Sequence, residues 1–263
     1  MEKFVMAGKT AIRYRDMGIG ERVIVLLHGY LESLEVWDDF AGELGKEFRV
    51  ISFDLPGHGI SEVLGTTHTM EFLADTLNSL LEKIGVDSVN VIGHSFGGYV
   101  ALAFAKKYSN KCNSIVLFHS TCDSDTPERK KLREREIDII KSGRKELLTT
   151  VNPGKCFAPQ NRKRYISVID ELSEQAMLTE DDGIIAILNG IAEREPMNDF
   201  LHESPIKQLF IFGKHDEFMP LEYCEEVANN NPQARIEWLD NSGHIGFVEE
   251  FAKSVEIVKD FLN

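Results

Sequence analysis

Long apolar runs are missing from this sequence: no stretch of eighteen consecutive apolar residues exists, so nothing in it reads as a membrane-spanning helix. Cysteine is sparse. The four present, Cys112, Cys122, Cys156 and Cys224, show neither the paired short spacings of a zinc site nor a C-x-x-C redox pair, and read as reduced thiols. Residues Met1–Thr10 contain no basic segment followed by an apolar stretch and a small-residue cleavage site, which argues against a cleaved secretion signal and for a cytoplasmic protein. Low-complexity tracts and repeats are absent, which excludes fibrous and solenoid classes. Basic residues are outnumbered 29 to 43, giving a net charge of −14. Such a molecule repels phosphate backbones and anionic headgroups, so the expected partner is a small molecule, with no nucleic acid and no membrane. What the chain does have is 263 residues with 43% apolar content, enough for one generous core.

Short β-branched runs recur at Val23–Leu27, Val50–Phe53, Val89–Ile92, Ile115–Phe118, Leu209–Phe212 and Ile236–Leu239, most of them followed by helical periodicity. Their uniform apolarity suits parallel strands covered on both faces. Lys3–Met6 and Thr10–Asp16, joined by Ala7-Gly8-Lys9, read as a hairpin. Helices are expected over Thr69–Ile84, Phe96–Tyr108 and Phe247–Leu262. Between Thr121 and about Leu201 the strand–helix rhythm stops, and four helices are expected: Pro127–Lys141, Arg144–Val151, Gln160–Glu171 and Thr179–Glu193, the last opened by Thr179. The organisation predicted is one α/β domain, residues 1–120 and 202–263, interrupted by a helical cap over 121–201.

Gly93-His94-Ser95-Phe96-Gly97 falls where a strand turns into a helix. A G-x-S-x-G match arises by accident in about one such sequence in ten, so its context carries the weight. Serine at a tight strand–helix corner is lifted out of the sheet, and the helix start places the Phe96 N–H and a positive dipole end beside its hydroxyl. A plain glycine-rich turn whose serine caps the helix is the alternative.

A serine nucleophile needs a base, and imidazole suits. Of eight histidines, His244 in Asn241–Phe247 is best placed, after the last strand in a loop that its flanking glycines would leave mobile. His58, His94 and His215 sit in other loops beside glycine or acidic residues, and His68, His119 and His202 show no motif. The carboxylate to orient the base is Asp216, after Leu209–Phe212, with Glu217 and Asp123 as alternatives. After Val23–Leu27, His28-Gly29-Tyr30 offers the Tyr30 N–H as a second oxyanion donor; His28 reads as structural.

The order Ser95, Asp216, His244, the glycine-flanked serine, His28-Gly29 and Asp54-Leu55-Pro56-Gly57-His58-Gly59-Ile60-Ser61 together resemble the α/β-hydrolase superfamily. Within it the chain is similar to small single-chain members described as carboxylesterases, enol-lactonases and cofactor-free haloperoxidases. The resemblance covers roughly residues 1–120 and 202–263. It implies an α/β-hydrolase fold with an eight-stranded, mostly parallel sheet, a pocket between core and cap, a structural role for Asp54–Ser61, and no cofactor or metal. Serine at position 95 disfavours epoxide and carbon–halogen hydrolysis, which in the family use aspartate. Phe96 departs from the tryptophan usual in proline-releasing peptidases, and Gly98, Tyr99 and Val100 lack the arginine of the menaquinone-pathway lyases. The expected activity is hydrolysis of a small ester, thioester or lactone. A small-molecule sensor with slow turnover is the alternative from another class, and a lyase or carbon–carbon hydrolase the lesser one.

Residues 126–165 hold twelve Lys or Arg and five Asp or Glu, a local balance of +7 that leaves −21 elsewhere. The run Arg129–Glu136 dominates it. The plain expectation is a solvated outer face of a cap helix, with Leu132, Ile139 and Ile140 turned inward. The sharper one is that the cap attracts an anionic substrate. Leu147, Phe157, Met177, Ile184, Ile187 and Leu188 are candidates either for an apolar acyl pocket or for helix packing.

Overall fold

The computed structural model describes all 263 residues. Eight strands, β1 (Glu2–Ala7), β2 (Thr10–Met17), β3 (Val23–Leu27), β4 (Arg49–Phe53), β5 (Val89–His94), β6 (Cys112–Phe118), β7 (Lys207–Gly213) and β8 (Arg235–Leu239), form one sheet in the order β1-β2-β4-β3-β5-β6-β7-β8. Only the amino-terminal hairpin and the β2–β4 pair are antiparallel; the other pairs are parallel. The eight-stranded, mostly parallel sheet flanked by helices is therefore as expected.

Strand periodicity explains how both faces are filled. Val25 and Leu27, Ile115 and Leu117, and Phe210 and Phe212 point to one core. Their neighbours Ile24 and Leu26, Val116 and Phe118, and Leu209 and Ile211 point to the other. The first face is covered by α2 (Met70–Lys83) and α3 (Phe96–Lys107), through Leu73, Leu77, Val100 and Phe104. The second is covered by α1 (Asp38–Leu44) and, at the end of the chain, by residues 251–262, through Phe40, Leu44, Val255 and Val258. Because β3 passes to β4 on one side and the chain returns to β5 on the other, strand order reverses between β3 and β5. Their carboxyl ends open the crevice in which open α/β sheets bind ligands.

Between β6 and β7 run α4 (Pro127–Lys141), α5 (Glu146–Thr149), α6 (Asn152–Cys156), α7 (Ile166–Leu178), α8 (Asp181–Glu193) and α9 (Asn198–Glu203). Thr126 caps α4, accepting from the Arg129 N–H at 3.3 Å, with Pro127 in the first turn. The expected helix over Gln160–Glu171 starts later, at Ile166. Asn161 instead holds a turn against the core, its amide donating to the Asn241 carbonyl at 2.7 Å and to Glu249 at 2.8 Å. Helix α8 begins at Asp181 without a Thr179 side-chain cap. The closing helix is also two pieces, α11 (Gly246–Glu249) and α12 (Phe251–Leu262), broken at Glu250. Its carboxylate turns back to accept from the Asn241 N–H and the Ser242 hydroxyl. Helix α10 (Leu221–Asn230) completes the layer between β7 and β8. No helix is long and apolar enough to cross a membrane.

Helix α8 lies on the core at two glycines. A methyl group at Gly183 would overlap the Gly57 carbonyl oxygen, and one at Gly190 would overlap that of His68. Alanine is worth about 1 kcal/mol more than glycine in a helix interior, whereas forcing a core contact costs about 1–3 kcal/mol. The obstructing atom is backbone, so the clash outweighs the propensity. Gly190→Ala is expected to lower unfolding stability by roughly 1–2 kcal/mol in urea titration; a variant more stable than the parent would refute this packing account.

Candidate active site

Ser95 follows β5 with φ 49° and ψ −115°, a conformation disfavoured for any residue with a Cβ. Gly97 makes the corner possible, since a side chain there would strike the Leu27 and His28 carbonyls. The corner is held by the Ser95 N–H donating to the Phe118 carbonyl at 2.9 Å and by the Ser120 hydroxyl donating to the Ser95 carbonyl at 2.7 Å. Only three residues other than glycine have positive φ: Leu31, Ser95 and His119. They stand just after β3, β5 and β6, so the backbone strain of the chain is gathered at one sheet edge.

The structure brings Ser95, His244 and Asp216 together. The Ser95 hydroxyl lies 2.8 Å from His244 Nε2, and His244 Nδ1 lies 2.6 Å from Asp216 Oδ2. Asp216 Oδ1 accepts from the backbone N–H groups of Phe218 (2.8 Å) and Met219 (2.9 Å), which fixes the carboxylate plane. The alternatives lie elsewhere: Glu217 pairs with Arg162, and Asp123 accepts from Tyr223 and Asn198. The Tyr30 and Phe96 N–H groups donate to no backbone carbonyl in turns or loops, and Phe96 is the first residue of α3, where N–H groups lack intrahelical partners.

The loop carrying His244 is not the mobile loop its glycines predict. The His244 N–H donates to the Cys156 carbonyl at 2.6 Å, the Gly243 N–H to Glu249 at 2.6 Å, and the Gly246 N–H to His119 Nε2 at 2.9 Å. Gly243 serves close approach instead, since a methyl there would meet the backbone of Cys156–Ala158.

Two buried groups that no motif marks surround this arrangement. His119 accepts through Nε2, so its proton sits on Nδ1, 3.6 Å from Asp216 Oδ2. Burial, reinforced by the neighbouring His244 and His94, pushes its pKa well below the ordinary histidine value and keeps it neutral. His94 is the opposite case. Burial works against its charge, but Glu32, 2.9 Å from Nδ1, outweighs burial and raises its pKa. Burial likewise works against the Glu32 carboxylate, yet His94 and the Gly29 N–H bring its pKa below normal. The imidazolium donates its second proton, from Nε2, to the His244 carbonyl at 2.7 Å. The signal available in the sequence for these roles was position alone, His119 at the end of a strand and His94 beside the serine.

His28 and His58 support the loop after β3. His28 Nε2 accepts from the Leu55 N–H at 2.9 Å and His58 Nε2 from the Leu31 N–H at 3.1 Å. Buried Asp54 accepts from the Leu34 N–H (2.9 Å) and Arg13 (2.7 Å). His119, Asp216 and His244 also bring possible metal ligand atoms within 4.8 Å of one another. His244 is bonded to Ser95 and Asp216, and His119 Nε2 accepts from the Gly246 N–H, while His119 Nδ1, 3.6 Å from Asp216, has no hydrogen-bond partner.

A cavity of about 480 Å³ opens above Ser95 and His244. Its apolar wall is Tyr30, Phe96, Tyr99, Leu132, Ile139, Ile191, Phe218 and Met219. Of the apolar candidates named from sequence, Phe157, Ile184, Ile187 and Leu188 are buried in packing, and Leu147 and Met177 are exposed. Cys156 also lines the cavity, and burial pushes its thiol well above the usual range, which keeps it protonated.

The chain is similar to known proteins in sequence and in fold. A family model described as the alpha/beta hydrolase fold matches residues 22–142. A 2-hydroxy-6-oxononadienedioate/2-hydroxy-6-oxononatrienedioate hydrolase of Paraburkholderia phymatum is 25% identical, over 98% of this chain and 93% of its own length. A thermophilic esterase from Thermogutta terrifontis superposes with a TM-score of 0.92 at 26% identity, covering 100% of this chain and 98% of that one. The enol-lactonase of Burkholderia xenovorans superposes with a TM-score of 0.90 at 23% identity, over 99% of each chain.

The Glu32–His94 pair makes a pH-dependent contribution to stability. His94, raised above 6.5, contributes fully below that value and loses its contribution as pH rises through its folded pKa. Glu32, lowered below 4.5, contributes fully above that value and loses it as pH falls through its folded pKa. Glu32→Gln is expected to cost about 3–5 kcal/mol between the two titrations, with the gap to the parent narrowing at both extremes. Calorimetric unfolding across pH checks this; a loss that does not vary with pH would contradict a charged pair.

Proposed function

We propose that this chain, a member of the α/β-hydrolase superfamily, is a serine hydrolase that cleaves a small ester, thioester or lactone through an acyl-enzyme on Ser95. The observation that carries the reading is the unbroken hydrogen-bond series Ser95–His244–Asp216 at the floor of a cavity of substrate size. His244 takes the Ser95 proton as the oxygen attacks the carbonyl carbon, and Asp216 stabilises the imidazolium that forms. The Phe96 and Tyr30 N–H groups receive the charge developing on the carbonyl oxygen; one such donor is worth about 3–4 kcal/mol of transition-state stabilisation. The same imidazolium protonates the leaving group, and His244 then activates the water that releases the acid.

Helices α4–α9 act in this reading as the cap over the core formed by residues 1–120 and 202–263. The esterase and the enol-lactonase support acyl chemistry by their described activities. The oxononadienedioate hydrolase relative favours a second reading, hydrolysis of a carbon–carbon bond beside a ketone by the same three residues. Purified protein is expected to be labelled by a fluorophosphonate probe and to turn over p-nitrophenyl butyrate. Ser95→Ala should abolish labelling, and Asp216→Asn should lower kcat by about 10⁴-fold. Labelling that persists in folded Ser95→Ala would remove the nucleophile assignment.

A further inference from the structure

Helix α4 turns a charged face inward. Arg129, Leu132, Arg133, Glu136 and Ile139, at helical intervals of three and one, form a single stripe, and all five line the cavity, joined at its mouth by exposed Arg135 and Lys155. The plain expectation of a solvated outer face holds for exposed Lys130, Lys131 and Glu134, whereas Arg129, Arg133 and Glu136 are half-buried and look onto the cavity. Packing uses Ile140, which is buried with Leu31, Ala176, Ile184 and Leu188, and half-buried Ile137 beside it.

The cations of this face exceed what the fold neutralises. Arg133 is shared between Asp125 (3.2 Å) and Glu136 (3.6 Å). Arg129, Arg135 and Lys155 form no ion pair within the protein, and Arg129 rests over the Tyr223 ring at 5.0 Å. The acids on the cavity wall are already engaged: Glu32 is committed to His94, and Glu136 lies 3.6 Å from Arg133. Two buried polar atoms here, the Tyr30 hydroxyl and Glu136 Oε2, have no hydrogen-bond partner. Such atoms are costly to bury unless something meets them. Burial, helped by the nearby Glu136, holds the Tyr30 hydroxyl in its protonated, donating form. In a chain of net charge −14, unpaired cations and an unpartnered donor on the wall of one cavity describe a receptor for a negative group.

Resting on the serine-hydrolase reading, we propose that the cavity selects substrates whose non-reacting end carries a carboxylate, received by Arg129, Arg133 and the Tyr30 hydroxyl, with Arg135 and Lys155 drawing it to the entrance. Guanidinium forks match a carboxylate, and the apolar wall formed by Leu132, Ile139 and Phe218 suits the short hydrocarbon between that group and the scissile carbonyl. Glu136 among the arginines favours a single negative charge over the double charge of a phosphate.

The test separates this proposal from the reading beneath it. Mono-p-nitrophenyl glutarate carries the charge on the acyl side, 4-acetoxybenzoate on the leaving side, and p-nitrophenyl butyrate is neutral. At least one charged ester is expected to exceed the neutral one about tenfold in kcat/KM, mainly through KM, with the advantage shrinking as NaCl rises. Arg129→Gln and, separately, Arg135→Gln are expected to lower the charged-to-neutral ratio several-fold. In parallel, glutarate binding to folded Ser95→Ala protein is measured by calorimetry, with glutaramide and inorganic phosphate for comparison. Ser95-dependent turnover with equal kcat/KM for charged and neutral esters, unmoved by salt or by the arginine variants, would overturn the carboxylate site and leave the hydrolase standing. Glutarate binding that Arg129→Gln weakens, without turnover of any ester, would sustain the site and overturn the hydrolase. Phosphate binding tighter than glutarate would overturn the assignment to a carboxylate.

Discussion

A buried ion pair, Glu32 with His94, joins three chain segments on which the site depends. Glu32 accepts from the Gly29 N–H and so shapes the loop after β3. His94 sits at the end of β5, one residue before Ser95, and donates to the carbonyl of His244. The loop carrying Tyr30, the corner at Ser95 and the loop carrying His244 are thereby referred to one buried charged centre. A buried pair of this kind contributes little net stability compared with apolar packing, but losing one member leaves a buried charge uncompensated. That asymmetry suits positioning, because geometries that separate the partners are excluded more strongly than the correct one is favoured.

Around that centre the sheet edge concentrates strain and polar burial. Leu31, Ser95 and His119 adopt positive φ at the ends of three strands, and Asp216 is held through both carboxylate oxygens before a substrate arrives. The two apolar cores on either side of the sheet support this, as they bury the central strands β3–β7 almost completely and leave the carboxyl ends to carry unusual conformations. Above the edge, α8 is docked through glycines onto the core while α4 offers arginines to the cavity, so the helices between β6 and β7 combine close attachment with a polar face.

Much of this was legible in the sequence because it is local. The strands β3 and β5–β7 announce themselves as apolar runs, and the corner at Ser95 by its glycines. The features that escaped are those whose cause lies far along the chain. Glu32 and His94 are 62 residues apart, and His119 is 127 residues from the Gly246 N–H it receives. The late start of α7 depends on Asn161 reaching Asn241 and Glu249, and the break at Glu250 on a carboxylate drawn back to residues 241 and 242. Periodicity has no access to such bonds. In α4 the spacing of Arg129, Arg133 and Glu136 is visible in the sequence, but whether a charged helix face meets solvent or a cavity is set by residues far along the chain, such as Phe218 and His244.

In the proposed reaction Ser95 becomes covalently acylated, and the remaining residues serve that event. Mixing excess enzyme with a p-nitrophenyl ester, quenching in acid within the first turnover and mapping the mass of the peptides tests it most directly. One acyl group per chain is expected, located on Ser95, formed together with a burst of p-nitrophenol and decaying at the steady-state rate. Turnover at full rate with no acyl mass on Ser95, or acylation at another side chain, would contradict it.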